Sequence, residues 1–72
     1  MKKINKIKIK LNGKFIKIQE EITLLRLIKQ LRLPIEKVAI ELNRIIVNKK
    51  SLSKIKVKKN DKIEVVHFIG GG

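Results

Sequence analysis

Few residues in this chain could do chemistry. It has no cysteine and no tyrosine, a single histidine, His67, and six acidic residues: Glu20, Glu21, Glu36, Glu41, Asp61 and Glu64. The acids scatter through turns and exposed strand positions, so no carboxylate dyad emerges, and Ser51 and Ser53 have no evident base to activate them. His67 reads as an ordinary strand histidine, and one histidine without cysteine cannot complete a zinc site. No glycine-rich loop follows a strand and opens a helix to cradle phosphate. One feature is left, the ending "VVHFIGGG". Glycine loses the most freedom on ordering and has no side chain to pack, so Gly70, Gly71 and Gly72 add nothing to a core. They read either as a frayed end or as a slim stalk presenting a carboxylate to another protein's active site. The choice between these rests on the elements that precede them.

Composition limits those elements. With 72 residues the expectation is one domain over 1–72, near the size at which an unaided hydrophobic core still suffices, because neither disulfide nor zinc is on hand to staple it. The opening "MKKINKIKIK" has a basic head but alternating lysines where a signal peptide needs an apolar run, and no stretch approaches the roughly 18 residues of a membrane span. We therefore expect a cytoplasmic protein, monomeric when free, with no membrane partner. The net charge of +13 raises the possibility of nucleic acid. Residue type speaks against it: 16 of the 19 basic residues are lysine, whereas the bidentate fork that reads phosphate and guanine belongs to arginine. Phe15 and Phe68 are the only aromatics, too few for a stacking platform. Ile, Lys and Asn make up 35 of the 72 residues, the signature of AT-rich codons painting solvated positions with lysine. A basic module binding RNA or an acidic protein stands as the alternative reading.

Two periodicities organise the chain. Residues 4–18 read as a hairpin: "KIKIKL" alternates strictly, placing Ile7, Ile9 and Leu11 on one face and Lys6, Lys8 and Lys10 on the other, and "NG" separates it from "KFIKI". Asn12-Gly13 supplies the positive φ angles of a type I′ turn. In "EEITLLRLIKQLRLP" the period lengthens, with Leu24, Leu27, Ile28 and Leu31 forming one helical stripe and Arg26, Lys29 and Gln30 facing outward. Thr23 is the expected N-cap, Glu20 and Glu21 precede it near the positive helix end, and Pro34 is expected to stop the helix. Two more strand pairs are expected, "VAIELN" with "IIV" and "KIKV" with "KIEVVHFI" through "KKND", while "NKKSLSKI" is the irregular stretch with room for a helical turn. Hairpin, helix and further strands describe an α+β arrangement with one main helix packed across a sheet.

Taken in order, "LNGK", "ITLLRLIKQLRL", "VAIELNRIIV" and "NDKIEVVHFIGGG" cover most of the chain and resemble the ThiS sulfur carriers of thiazole biosynthesis. The resemblance implies a β-grasp (ubiquitin-like) mixed sheet. Two turns depart from the family pattern: Arg44 follows Asn43 where glycine is common, and Lys59-Asn60-Asp61 stands in place of "DGD". Asn60 tolerates left-handed geometry, so that turn should survive. The small subunit of molybdopterin synthase shares the implied fold but has a Pro-Pro pair before its glycines, and this chain has none.

The resemblance also implies a role. A ThiF-like adenylating enzyme would use ATP and Mg²⁺ to activate the carboxylate of Gly72, sulfur from a donor such as a cysteine desulfurase would replace AMP, and a ThiG-like thiazole synthase would accept that sulfur. Gly70 and Gly71 would enter the partner sites with Phe68 and Ile69 contacting partners at the base of the tail. The chain itself would bind no cofactor and catalyse nothing, serving as a protein cosubstrate.

Overall fold

The computed structural model describes residues 5–67, and these form a five-stranded sheet with one α-helix and two 3₁₀ turns. β1 (Lys6–Leu11) and β2 (Lys14–Gln19) make the expected hairpin, pairing antiparallel from Lys6 opposite Gln19 to Leu11 opposite Lys14. Asn12 at φ 46° and Gly13 at φ 82° occupy the loop, as a type I′ turn requires. α1 (Leu24–Gln30) follows, then a 3₁₀ turn (Ile35–Lys37), β3 (Val38–Leu42), β4 (Ile45–Ile46), a second 3₁₀ turn (Lys49–Lys54) and β5 (Lys62–His67).

The strand order is β2-β1-β5-β3-β4, so the last strand occupies the centre, parallel to β1 and antiparallel to β3. The two-residue period sends Ile9 and Ile18 from the hairpin, Val38 and Ile40 from β3, and Ile63 and Val65 from β5 to one face. There they meet Leu24, Leu27 and Ile28 of α1, and Ile22, Leu52 and Val57 from the connections complete the core. The apolar stripe read from the sequence is therefore the packed stripe, with Leu31 at its half-buried end. Every residue of this core is aliphatic, and no polar or charged residue is buried among the described residues.

Thr23 caps α1 as expected, its Oγ1 accepting from the Arg26 amide at 3.2 Å. The other end differs from expectation. The last helical residue is Gln30, and the stop is made by Arg32 rather than Pro34. Arg32 turns left-handed at φ 58°, its amide donates to the Lys29 carbonyl at 3.0 Å, and the Leu33 amide reaches back to Ile28 at 3.2 Å. This is the Schellman arrangement with arginine in the usual glycine position, and Leu33 packs against the core immediately after it. Pro34 instead precedes the first 3₁₀ turn.

A second expectation is corrected at "KIKV", which does not pair with β5. Both sides of β5 are already occupied by β1 and β3, so no edge is open to it. The segment runs beside the start of α1, where the Ile55 carbonyl accepts from the Leu24 amide at 2.7 Å and the Val57 amide donates to Ile22 at 2.9 Å. The first of these satisfies a helix N-terminal amide that has no partner within the helix. The alternation was genuine, since Val57 is buried and Lys56 exposed, but it reported a buried face and not a strand partner.

The turn after β3 keeps its type despite the missing glycine. Asn43 and Arg44 lie at φ 51° and 71°, giving the type I′ geometry of the first hairpin. An arginine in that region costs roughly 1–2 kcal/mol, which glycine recovers in part after its own entropic cost. Arg44→Gly should therefore stabilise the protein by about 0.5–1 kcal/mol in a urea titration. A lower unfolding midpoint would contradict the left-handed assignment. The "KKND" turn likewise holds, with Asn60 at φ 70° and Asp61 closing on Lys58 through its amide at 3.1 Å and its Oδ2 at 2.7 Å.

Candidate functional site

The candidate site is the far end of β5 and whatever β5 holds in place. The residues singled out there from sequence, Phe68, Ile69, Gly70, Gly71 and Gly72, lie outside the described residues. His67, the last described residue, is exposed and sits opposite Val38. Ser51 and Ser53 belong to the second 3₁₀ turn, which is on a different element from His67. Among the described residues, no group of three or more His, Cys, Asp or Glu side chains is placed to hold a metal ion, and no helix is long and apolar enough to cross a membrane.

What the structure adds is how firmly β5 is held. β1 pairs with β5 only through Lys10 opposite Lys62 and Leu11 opposite Ile63, because the hairpin turns away at Asn12. Asn12 then takes over the role of the missing strand. Its Oδ1 accepts from the Val65 amide at 2.7 Å, its Nδ2 faces the Val65 carbonyl at 3.4 Å, and its own amide donates to Ile63 at 2.9 Å. Asn43 grips the other side at the strand's start: its Oδ1 accepts from the Lys62 amide at 2.9 Å, its amide donates to the Lys62 carbonyl at 2.7 Å, and its Nδ2 donates to Asp61 Oδ1 at 3.0 Å. Two asparagines at left-handed turn positions thus each use the side chain to complete the ladder of the central strand.

Sequence reasoning read both asparagines as turn formers only. A turn needs the backbone angle, and glycine or aspartate would supply that as well. Nothing local in "LNGK" discloses a bond to a residue 53 positions away. Asn12→Gly keeps the turn and deletes the clamp, so it should cost about 1–2 kcal/mol, the scale of one or two hydrogen bonds with a half-buried amide left unpaired. Amide exchange at Val65 should accelerate selectively. Unchanged protection of Val65 in that variant would contradict the clamp.

The sheet face turned away from α1 also bears on the site. Val66, Ile46 and Phe15 are 53%, 72% and 66% exposed. Val66 stands opposite Ala39, and Ile46 opposite Glu41. Each exposed residue adjoins an apolar neighbour in sequence, in "FI", "II" and "VV". That doubling was the available signal: an apolar residue out of phase with strand alternation must face solvent or a partner.

Comparison with known proteins places this geometry. The sequence model of the ThiS family matches residues 3–72. The chain belongs to the ThiS family. The crystal structure of the thiamine biosynthesis protein ThiS from Geobacter metallireducens superposes with a TM-score of 0.82 at 28% identity, covering 92% of this chain and all of that one. The mixed sheet with its central last strand and single main helix is therefore the β-grasp fold of ThiS. A thiazole synthase from Magnetococcus marinus is 41% identical over 66 residues, which are 92% of this chain and 20% of that protein. This ThiS-family chain thus spans about a fifth of the length of that curated relative.

Proposed function

We propose that the chain is a sulfur carrier for thiamine biosynthesis, bearing sulfur as a thiocarboxylate on Gly72. The observation that carries this reading is the family match, which runs through residue 72 and so includes the glycines. The kinship with ThiS of Geobacter metallireducens supports it, and the central placement of β5, which leads toward residues 68–72, suits a strand that fixes the base of a tail.

The chemistry follows from the weakness of a carboxylate as an electrophile. A ThiF-like adenylating enzyme, using ATP and Mg²⁺, would join the Gly72 carboxylate to AMP and release pyrophosphate. Hydrosulfide would then attack the carbonyl carbon, expel AMP and leave the thiocarboxylate directly. Sulfur arriving as the persulfide of a donor such as a cysteine desulfurase would first give an acyl disulfide, which a thiol would cleave by exchange to release the thiocarboxylate and a donor disulfide. Thiazole synthase is the proposed acceptor, a reading supported by the stretch of a thiazole synthase that is 41% identical to this chain. Gly70 and Gly71 would thread the partner channels, with Phe68 and Ile69 against the channel mouths. The chain takes part as a protein cosubstrate, in the cytoplasm.

Thiol alkylation tests the reading. The chain has no cysteine, so before reaction a thiol-selective alkylator should leave it unlabelled. After incubation with an adenylating enzyme of the family, ATP and sulfide, label should appear on the C-terminal peptide. No label after verified ATP turnover would count against the thiocarboxylate.

A further inference from the structure

The open face of the sheet is divided by charge, and the division points to a second docking surface. On β1 and β2 this face carries Lys6, Lys8, Lys10, Phe15 and Lys17, and Lys62 of β5 stands beside Lys10. No acidic residue occurs before Glu20 in the sequence. Glu64 and Glu41, opposite one another, begin the other half of the face, which ends at Val66 and Ile46. The basic half is therefore distinct from the apolar half near the end of β5.

Its centre is organised around Phe15. Lys8 Nζ lies 5.0 Å and Lys10 Nζ 5.1 Å from the ring centroid, within the range of cation–π attraction. These ammonium groups border a shallow depression of about 180 Å³ lined by Lys8, Ile9, Lys10, Phe15, Asn60 and Lys62. Lysine side chains ordinarily surrender much rotamer freedom when they form an ion pair. Here the ring has already restrained two of them, so an arriving anion has less ordering to impose.

We propose that this surface docks a carboxylate-rich protein segment, its acidic side chains set over Lys8, Lys10, Lys17 and Lys62. Charge complementarity selects an acidic partner, and the aromatic geometry selects protein over nucleic acid. Among the described residues Phe15 is the only aromatic on this face, one ring being too few for a stacking platform, and two ammonium groups already lie over it. The surrounding cations are lysines, point charges suited to carboxylates, without the arginine forks that read phosphate and guanine. The surface stands on these contacts whether or not Gly72 carries sulfur.

The test is a titration of the isotopically labelled full chain at low salt, using a deca-glutamate peptide as probe and following amide shifts. Shifts should concentrate at residues 8, 10, 15, 17 and 62 and fade at physiological salt. Lys8→Glu with Lys10→Glu should weaken binding roughly tenfold, two ion pairs having become two repulsions, whereas Arg26→Glu with Lys29→Glu on the exposed face of α1, an equal change of net charge away from this surface, should weaken it several-fold less. The pair Lys8→Gln and Lys10→Gln, gentler on the hairpin, should give an intermediate loss. Phe15→Ala changes no charge and should still weaken binding roughly threefold by releasing the lysines. A decauridylate of comparable charge should bind more weakly than the peptide. Shifts spread evenly over all lysines, equal losses from the α1 pair, or tighter binding of the RNA would overturn the proposal. None of these measurements uses ATP or the tail chemistry, so their outcome is separate from that of the sulfur-carrier reading.

Discussion

Leu27→Ala should cost about 2–5 kcal/mol of stability, the range for deleting a fully buried leucine side chain from a packed core. Leu27 is only 1% exposed and belongs to the cluster that joins α1 to the sheet. A chain of 72 residues commands about 4–11 kcal/mol in total by ordinary per-residue scaling, so this one truncation removes a large share. Leu25 is half-buried and should cost less, while Lys29 is exposed and should cost nearly nothing on replacement by alanine. Urea titration of the three variants checks the ordering. Similar small losses at Leu27 and Lys29 would show that α1 does not pack through the stripe described here.

The second large effect belongs to the tail. Gly71→Ala or Gly72→Ala should leave the unfolding midpoint unchanged and reduce sulfur transfer by at least about a hundredfold, a loss of roughly 2.7 kcal/mol in transition-state stabilisation. On the proposed function the effect is steric: a partner channel shaped to glycine would have no room for a methyl group beside the reacting carbon, and glycine alone reaches the full range of backbone angles. Adding one residue after Gly72 should abolish transfer outright, because the reacting carboxylate is then displaced and replaced by an amide. Transfer rates from single-turnover reactions check both variants. Near-normal transfer by the extended chain would remove Gly72 from the chemistry.

The sequence and the structure agree where a local pattern has only one physical solution. "KIKIKLNGKFIKI" alternates on both sides of a dipeptide that favours positive φ, and it folds as the β1–β2 hairpin. Thr23 and the stripe from Leu24 to Ile28 mark a helix start and its buried face, and both hold. Agreement ends where the deciding partner lies far away in the chain. "KIKV" alternates like a strand, yet whether it joins a sheet depends on β5 having an open side, and it has none. Arg32 and Arg44 adopt left-handed angles that no propensity assigns to arginine. There, Leu33 packing and the β3–β4 register override the local cost.

The candidate site was legible to a different extent. Gly70, Gly71 and Gly72 carried meaning through their order after a strand and through family resemblance, since three glycines alone have no chemistry beyond a carboxylate. The parts that hold β5 in place were hidden. Asn12 and Asn43 act through side-chain bonds to a strand 53 and 19 residues away, and such bonds leave no periodic trace. The basic surface around Phe15 was half visible: the lysines announced charge, but only the strand register brings Lys8, Lys10 and Lys62 to one side of the sheet.

Intact mass of the full chain after reaction with a ThiF-family adenylating enzyme, ATP, Mg²⁺ and sulfide tests the central claim most directly. Replacing one carboxylate oxygen by sulfur adds about 16 Da, and fragmentation should assign that gain to Gly72, since no other residue in the chain becomes an acyl adenylate on this account. The account predicts that gain, preceded by a transient adenylate when sulfide is withheld. An unchanged mass, with the same enzyme shown to thiolate its own carrier, would contradict it.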